Sequence, residues 1–272
     1  MFCIVASDLD GTLLSSNHQV SVFTKQILRS LINRGIHFIF ATGRHYINVV
    51  QICDDLDIHA YMITSNGARV YDMNGSLICA HDLNENIALE LFDIVYRDPK
   101  ITTNIFRNDE WFINRNVFNQ GDFFNGKFVL NAQFYQQGML SAKGVCKVYF
   151  TSDNYQYLLN LEQYLNKRWG GLINVSFSLP VCLEVMAGGV SKGYALGEVA
   201  NLLGYELRHC ISFGDGMNDR EMLEMSGKGC IMRNAQQRLK DSLPFLEVIG
   251  SNEEDAVSNY LKTMYLMNEC IE

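Results

Sequence analysis

Proline is scarce, with three in 272 residues, and there is no low-complexity tract and no repeat of solenoid period, so repeat arrays and disordered linkers have no compositional support. Positive charge is also in short supply. Twenty-two basic residues face thirty acidic ones, for a net charge of -8, and no Lys/Arg cluster is segregated along the chain. Such a surface repels phosphate backbones and anionic bilayers, which excludes nucleic acid and membrane as expected partners, although a few placed cations could still hold one small anion. The eight cysteines lie far apart without a C-x-x-C pair, and most sit in apolar runs, so neither a zinc site nor a disulfide framework is indicated. Met1 to Ser7 carries no basic leader, and its apolar run is too short for a signal peptide or a membrane span; a cytoplasmic protein is expected.

What is present is core-forming material. Apolar residues make up 48% and charged residues 19%, and the length exceeds one usual core, pointing to a large domain with a smaller one or to two of medium size. Phe2 to Ser7, His37 to Ala41 and Tyr61 to Thr64 read as strands buried on both faces. Between them lie helical stretches, one capped by Ser21 with Phe23, Ile27, Leu31 and Ile32 on a stripe and Gly35 at its end, the other from Tyr46 to Leu56. The same alternation returns late in the chain: helix Ser191 to Leu203, strand Cys210 to Phe213, helix Met217 to Met225, strand Gly229 to Met232 and a last helix from Glu253. Strands alternating with helices predict parallel βαβ units, hence an α/β doubly wound core. The middle differs. A helix at Asn84 to Val95 leads to a hairpin, Thr102 to Phe106 and Glu110 to Asn114 around Asn108-Asp109. Strand Val145 to Thr151, helix Asp153 to Arg168 and strands Asn174 to Ser178 and Cys182 to Met186 follow. This predicts an inserted α+β module at 84–187, with the core contributed by 1–83 and 188–272.

Four polar stretches interrupt this grammar where strands end or helices begin. Asp8-Leu9-Asp10-Gly11-Thr12 places two carboxylates at the carboxyl end of the first strand, the edge at which open parallel sheets bind ligands. Asp-Gly is also ordinary turn chemistry, but neighbouring carboxylates stay ionised together most readily around a divalent cation. Ala41-Thr42-Gly43-Arg44 offers a hydroxyl, a backbone N–H and a helix start to a small anion, and reads equally as a helix cap with a surface arginine. Lys192, after Ser191 and before Gly193, sits in a first helical turn, where the helix dipole disfavours a cation; a solvated lysine is the plain alternative. Gly214-Asp215-Gly216-Met217-Asn218-Asp219 again sets carboxylates at a strand's end, without the acidic pattern of an EF-hand loop.

The order DxDGT, TGR, K-G, GDGMND resembles the haloacid dehalogenase superfamily of phosphohydrolases over essentially the whole chain, with no expected catalytic position substituted. The inserted module, the Ser65-Asn66-Gly67-Ala68 loop and the stretch from Glu184 to Lys192 resemble its Cof-type branch with a subclass IIB cap. The resemblance implies a Rossmann-like core and hydrolysis of a small phosphate ester through an aspartyl-phosphate. In that scheme Asp8 is nucleophile and Asp10 general acid and base. Mg²⁺ is held by the Asp8 carboxylate, the Asp10 carbonyl and Asp215. Thr42, the Gly43 and Leu9 N–H groups, Lys192 and Asn218 face phosphate, and Asp219 supports Lys192 from behind.

Whole-chain similarity runs to Cof-type enzymes that dephosphorylate pyridoxal 5'-phosphate, with sugar phosphates as side substrates. A broad sugar phosphatase, a phosphomutase and an effector-binding module without turnover are the alternatives. Selectivity then belongs to the cap, with Glu184 foremost among Arg44, His45 and Asn66; Cys182 and Met186 share its strand face. His45 also reads as a helix-start residue, and Trp111, Trp169 and the Phe123 to Tyr135 stretch as cap core or as stacking surfaces.

Overall fold

The structure is a computed structural model and describes residues 2–115 and 131–267. Its larger sheet has eight strands: β1 (Ile4–Ser7), β2 (His37–Ala41), β3 (Tyr61–Thr64), β4 (Arg69–Tyr71), β5 (Leu77–Ala80), β12 (Cys210–Gly214), β13 (Lys228–Ile231) and β14 (Glu247–Val248). They run in the order β14-β13-β12-β1-β2-β3-β4-β5. From β14 to β3 all pairs are parallel. Alternate residues of β1 face opposite layers. Val5 joins Phe38, Phe40, Ile211 and Phe213 under helices α1 (Val22–Asn33), α2 (Tyr46–Leu56) and α8 (Ala256–Tyr265), whereas Ile4 and Ala6 pack against Ala195, Leu196 and Val199 of α5 (Lys192–Leu202). This is the doubly wound arrangement expected from the βα alternation.

The expected helix at Met217 to Met225 divides into a 3-10 turn, Met217–Asp219, and the helix α6, Arg220–Met225. The Asp219 carboxylate pulls the preceding loop inward by accepting from the Asp215 and Gly216 N–H groups, each at 2.9 Å. Helix α7 (Gln237–Ser242) and strands β4, β5 and β14 were not legible, because they are two to six residues long and β5 and β14 are largely exposed. The last helix starts later than Glu253: Asp255 adopts a left-handed conformation (φ 49°), so helical geometry restarts at Ala256.

The second sheet takes its strands from β6 (Thr102–Arg107), β7 (Glu110–Ile113), β8 (Ala132–Phe134), β9 (Val145–Thr151), β10 (Ile173–Leu179) and β11 (Cys182–Ala187), in the order β10-β11-β9-β6-β7-β8. The β6-β7 hairpin turns between Arg107 and Glu110, at the Asn108-Asp109 pair. Along β9, Val148 and Phe150 enter the apolar layer under α3 (Glu85–Asp93) and α4 (Tyr155–Trp169), so Lys147 and Tyr149 point the other way, into a cavity shared with the larger sheet. Trp169 lies in that apolar layer, and Trp111 is buried on the opposite face with its indole N–H on Asn104. Neither tryptophan lines the cavity. Of the aromatic stretch Phe123 to Tyr135, residues 123–130 lie outside the described residues; Phe134 is exposed and Tyr135 packs on Phe92 and Tyr96.

Candidate active site

Strands β12, β1 and β2 are adjacent and in register, Ser7 opposite both Phe213 and Phe40, so the residues following them emerge side by side. Asp8 follows β1, Thr42 follows β2 and Asp215 follows β12, three residues far apart in sequence at one carboxyl edge. Gly11 (φ +78°) permits the turn after Asp10, and a side chain there would strike the Asp215 carboxylate. Thr12 Oγ1 donates to Asp215 Oδ1 at 2.9 Å.

Behind Asp8, Lys192 is 0% exposed and donates to Asp8 Oδ1 at 2.7 Å and Asp219 Oδ1 at 2.6 Å. Three carboxylates, those of Asp8, Asp215 and Asp219, each bring an oxygen within 4.8 Å of the others. One ammonium does not balance them. Burial first, then the charges of Asp219 and Asp10 working against Lys192, push Asp8 up to about 7. Burial and the negative charge of Asp8 raise Asp215 well above the carboxylate range. A hard, oxygen-seeking cation would supply the missing positive charge, so this donor set fits a divalent metal.

Asp10 behaves in the opposite way. Its burial is outweighed by hydrogen bonds from His18 and Arg44, which hold its carboxyl below the usual range. Arg44 donates from Nε to Oδ2 at 2.7 Å and from Nη2 to Oδ1 at 2.5 Å, while His18 Nδ1 lies 2.9 Å from Oδ1. The two carboxylates of the DxD sequence thus sit in contrasting environments.

A cavity of about 210 Å³ opens above these groups, lined by Asp8, Asp10, Thr42, Gly43, Arg44, Asp215 and Asn218 from the larger sheet. Phe106, Lys147, Tyr149, Leu179 and Glu184 close it from the second sheet. Glu184 is 4% exposed. It accepts from Lys147 Nζ at 2.7 Å and from Asn66, whose own side-chain oxygen accepts from Asn218 Nδ2 at 3.0 Å. Met186 and Cys182 flank this network on the same strand face. Ser65 and Asn66 both adopt positive φ, 48° and 56°, which bends the loop after β3 so that Asn66 reaches across. His45 caps α2 and is buried; Nε2 lies 2.9 Å from the Asn108 carbonyl in the β6-β7 turn, so its ring ties hairpin to core. The Leu9 side chain belongs to the core under α1.

Residues 5–261 match the haloacid dehalogenase-like hydrolases. The chain belongs to that family. The enzyme is a phosphatase, and its structural neighbours are haloacid dehalogenase-fold proteins with a cap. One similar structure is described as a subclass IIB sugar phosphatase (TM-score 0.82, 21% identity, 96% of this chain and 98% of that one). Among sequences, a protein of Buchnera aphidicola subsp. Schizaphis graminum that carries a phosphatase name is 46% identical over 268 residues, 98% of this chain and 97% of its own length. The HMP-PP phosphatase of Serratia proteamaculans is 36% identical over 262 residues, 96% and 95% of the two chains.

His18 and Lys147 line the phosphatase's cavity but were missed from sequence. His18 precedes the first helix in an unpatterned loop and carried no signal. Lys147 did carry one: it is a lone charge within the apolar run Val145 to Phe150. No helix among the described residues is long and apolar enough to cross a membrane.

Proposed function

We propose that the enzyme is a Mg²⁺-dependent phosphatase of small phosphomonoesters, acting through an aspartyl-phosphate on Asp8, with pyridoxal 5'-phosphate as the foremost substrate. The observation that supports it is the contrast at the DxD pair. Asp8 stands beside Lys192 with Asp215 alongside, while Asp10, two residues on, is gripped separately by Arg44 and His18. A nucleophile and an acid–base group need different environments to do different work.

In this scheme Asp8 attacks phosphorus in line, and Asp10 protonates the departing alkoxide and later removes a proton from the hydrolytic water. Thr42, the Gly43 and Leu9 N–H groups, Lys192 and Asn218 bind the phosphoryl oxygens, with Asp219 orienting Lys192. The Asp8 carboxylate, the Asp10 carbonyl and Asp215 would hold Mg²⁺, which would supply Lewis-acid neutralisation of phosphoryl charge. Asp10 is a carboxylate while Arg44 and His18 hold it, so it serves as the acid only after taking up a proton. The segment 84–187 acts as the cap that closes over the ester.

The organic part of the substrate then lies against Phe106 and Tyr149, flat faces suited to a heteroaromatic ring, with Lys147 and Glu184 offering a donor and an acceptor. The polar share of this lining, Asn48, Lys147 and Glu184, also suits sugar hydroxyls, which keeps a sugar phosphatase as the second reading. A kinetic panel of pyridoxal 5'-phosphate, hexose phosphates and HMP-PP tests it. The highest kcat/KM is expected for pyridoxal 5'-phosphate, and a hexose phosphate or HMP-PP ahead by tenfold overturns the assignment.

EDTA is expected to silence the enzyme and Mg²⁺ to restore it, with Ca²⁺ a poor substitute because its looser, larger coordination misplaces the attacking carboxylate. Full activity in Ca²⁺ removes the metal from the role given to it. Asp10→Asn is expected to lower single-turnover cleavage of an alkyl phosphate by about 10²–10⁴-fold, and that of p-nitrophenyl phosphate, whose leaving group needs no proton, far less. Equal losses for the two esters exclude Asp10 as the acid.

A further inference from the structure

Lys147, on β9 of the second sheet, is a buried cation with a side chain 3% exposed. Its ammonium donates to Glu184 Oε1 at 2.7 Å and lies 5.1 Å from the ring centres of Phe106 and Tyr149. A counter-ion for Glu184 would need no more. Yet Nζ also donates, at 2.6 Å, to the backbone carbonyl of Gly43 in the loop after β2, a residue separated from it by the whole intervening chain. The same peptide unit carries the Arg44 N–H, which donates to Thr42 Oγ1 at 3.1 Å.

We infer that Lys147 is a positioning residue that completes the phosphate-binding loop only when the cap is seated on it. The ammonium polarises the Gly43–Arg44 peptide, and this strengthens the N–H bond to Thr42 Oγ1. With a lone pair of Thr42 committed to that N–H, the hydroxyl proton is turned towards the cavity that Thr42 lines. The same peptide sets the root of the Arg44 side chain, which grips Asp10. One cap-borne charge therefore orders two elements of the core site without touching the phosphoryl group. Gly43 lets the cap approach this closely: a Cβ there would lie 3.1 Å from both Asn66 Oδ1 and Glu184 Oε2. The inference rests on the proposed role of Thr42 and Gly43 as phosphate ligands.

A double-mutant cycle on the full chain tests it, reading kcat and KM for several esters and competitive inhibition by inorganic phosphate. Lys147→Met/Glu184→Gln removes both buried charges with little change of shape and keeps an acceptor for Asn66, so folding is retained where Lys147→Met alone would strand a buried carboxylate. Thr42→Val is expected to weaken inorganic phosphate by about tenfold, the scale of a hydrogen bond to a charged group. The Lys147/Glu184 pair is expected to weaken it about fivefold and to raise KM for every ester by at least that factor. In the triple variant the loss of phosphate affinity is expected to stay within about twofold of Thr42→Val alone, since towards phosphate both act through one hydroxyl. Multiplying losses, or unchanged phosphate inhibition in the Lys147/Glu184 variant, overturn the relay while leaving the phosphate cradle standing. Unchanged inhibition in Thr42→Val removes the cradle assignment itself, and the relay with it.

Discussion

Asp8→Asn abolishes turnover, by at least about 10⁴-fold, while the protein remains folded: this is the expected result if Asp8 forms the covalent bond to phosphorus. An amide of the same shape fills the space at the end of β1 but is a very weak nucleophile. The fold is expected to survive because the substitution relieves a conflict. Burial and the Asp219 and Asp10 charges push the Asp8 carboxyl up to about 7 despite Lys192, so a neutral side chain is not electrostatically disfavoured there. A thermal melt at or above the wild-type midpoint, together with lost activity, is the predicted signature. Residual activity within tenfold of wild type rules out the covalent route. A midpoint several degrees below wild type shows that Asp8 serves the fold as well.

Lys192→Met is expected to damage catalysis less than Asp8→Asn and stability far more. The ammonium stands 2.7 Å from Asp8 and 2.6 Å from Asp219, all but sealed from solvent, and those two carboxylates raise its affinity for its proton despite burial. If Lys192 faces developing phosphoryl charge as proposed, removing it costs about 10²–10³ in kcat for every ester alike. It also strands buried carboxylates without a partner, a loss of about 3–5 kcal/mol. Steady-state kinetics on several esters and a denaturant titration check the two parts separately. Reordered substrates place Lys192 in recognition of the leaving group; unchanged stability shows that Asp8 and Asp219 find other compensation.

The two variants bear on different layers of one site. Asp8 belongs to a strand end exposed to the cavity, whereas Lys192 sits in the first turn of α5, capped by Ser191, and reaches the site from behind. The sequence reading of Lys192 as a cation in an unfavourable helical position is resolved here. Two carboxylates offset the helix dipole, at distances no local pattern could announce.

Much of this protein was legible in the chain alone, because the signals are local. Unbroken apolar runs such as His37 to Ala41 mark strands buried on both faces, and polar residues that interrupt them, Asp8, Thr42 and Asp215, mark the strand ends where an open sheet binds ligands. The α/β class and the motif residues follow from that grammar. Tertiary structure decided everything that depends on which surfaces meet. Strand order brought β12, β1 and β2 together and so placed Asp215 beside Asp8. It set His18 and Arg44 on Asp10, and with them the division of the DxD pair into a held carboxylate and a crowded one. It paired Glu184 with Lys147 and Asn66 at the cavity wall, and it carried Lys147 to the carbonyl of Gly43. Asn66 and Glu184 are 118 positions apart and Lys147 and Glu184 are 37 apart, separations that leave no periodicity for a sequence to show. Their pairing comes from the packing of two sheets across a cavity, which only the folded chain contains.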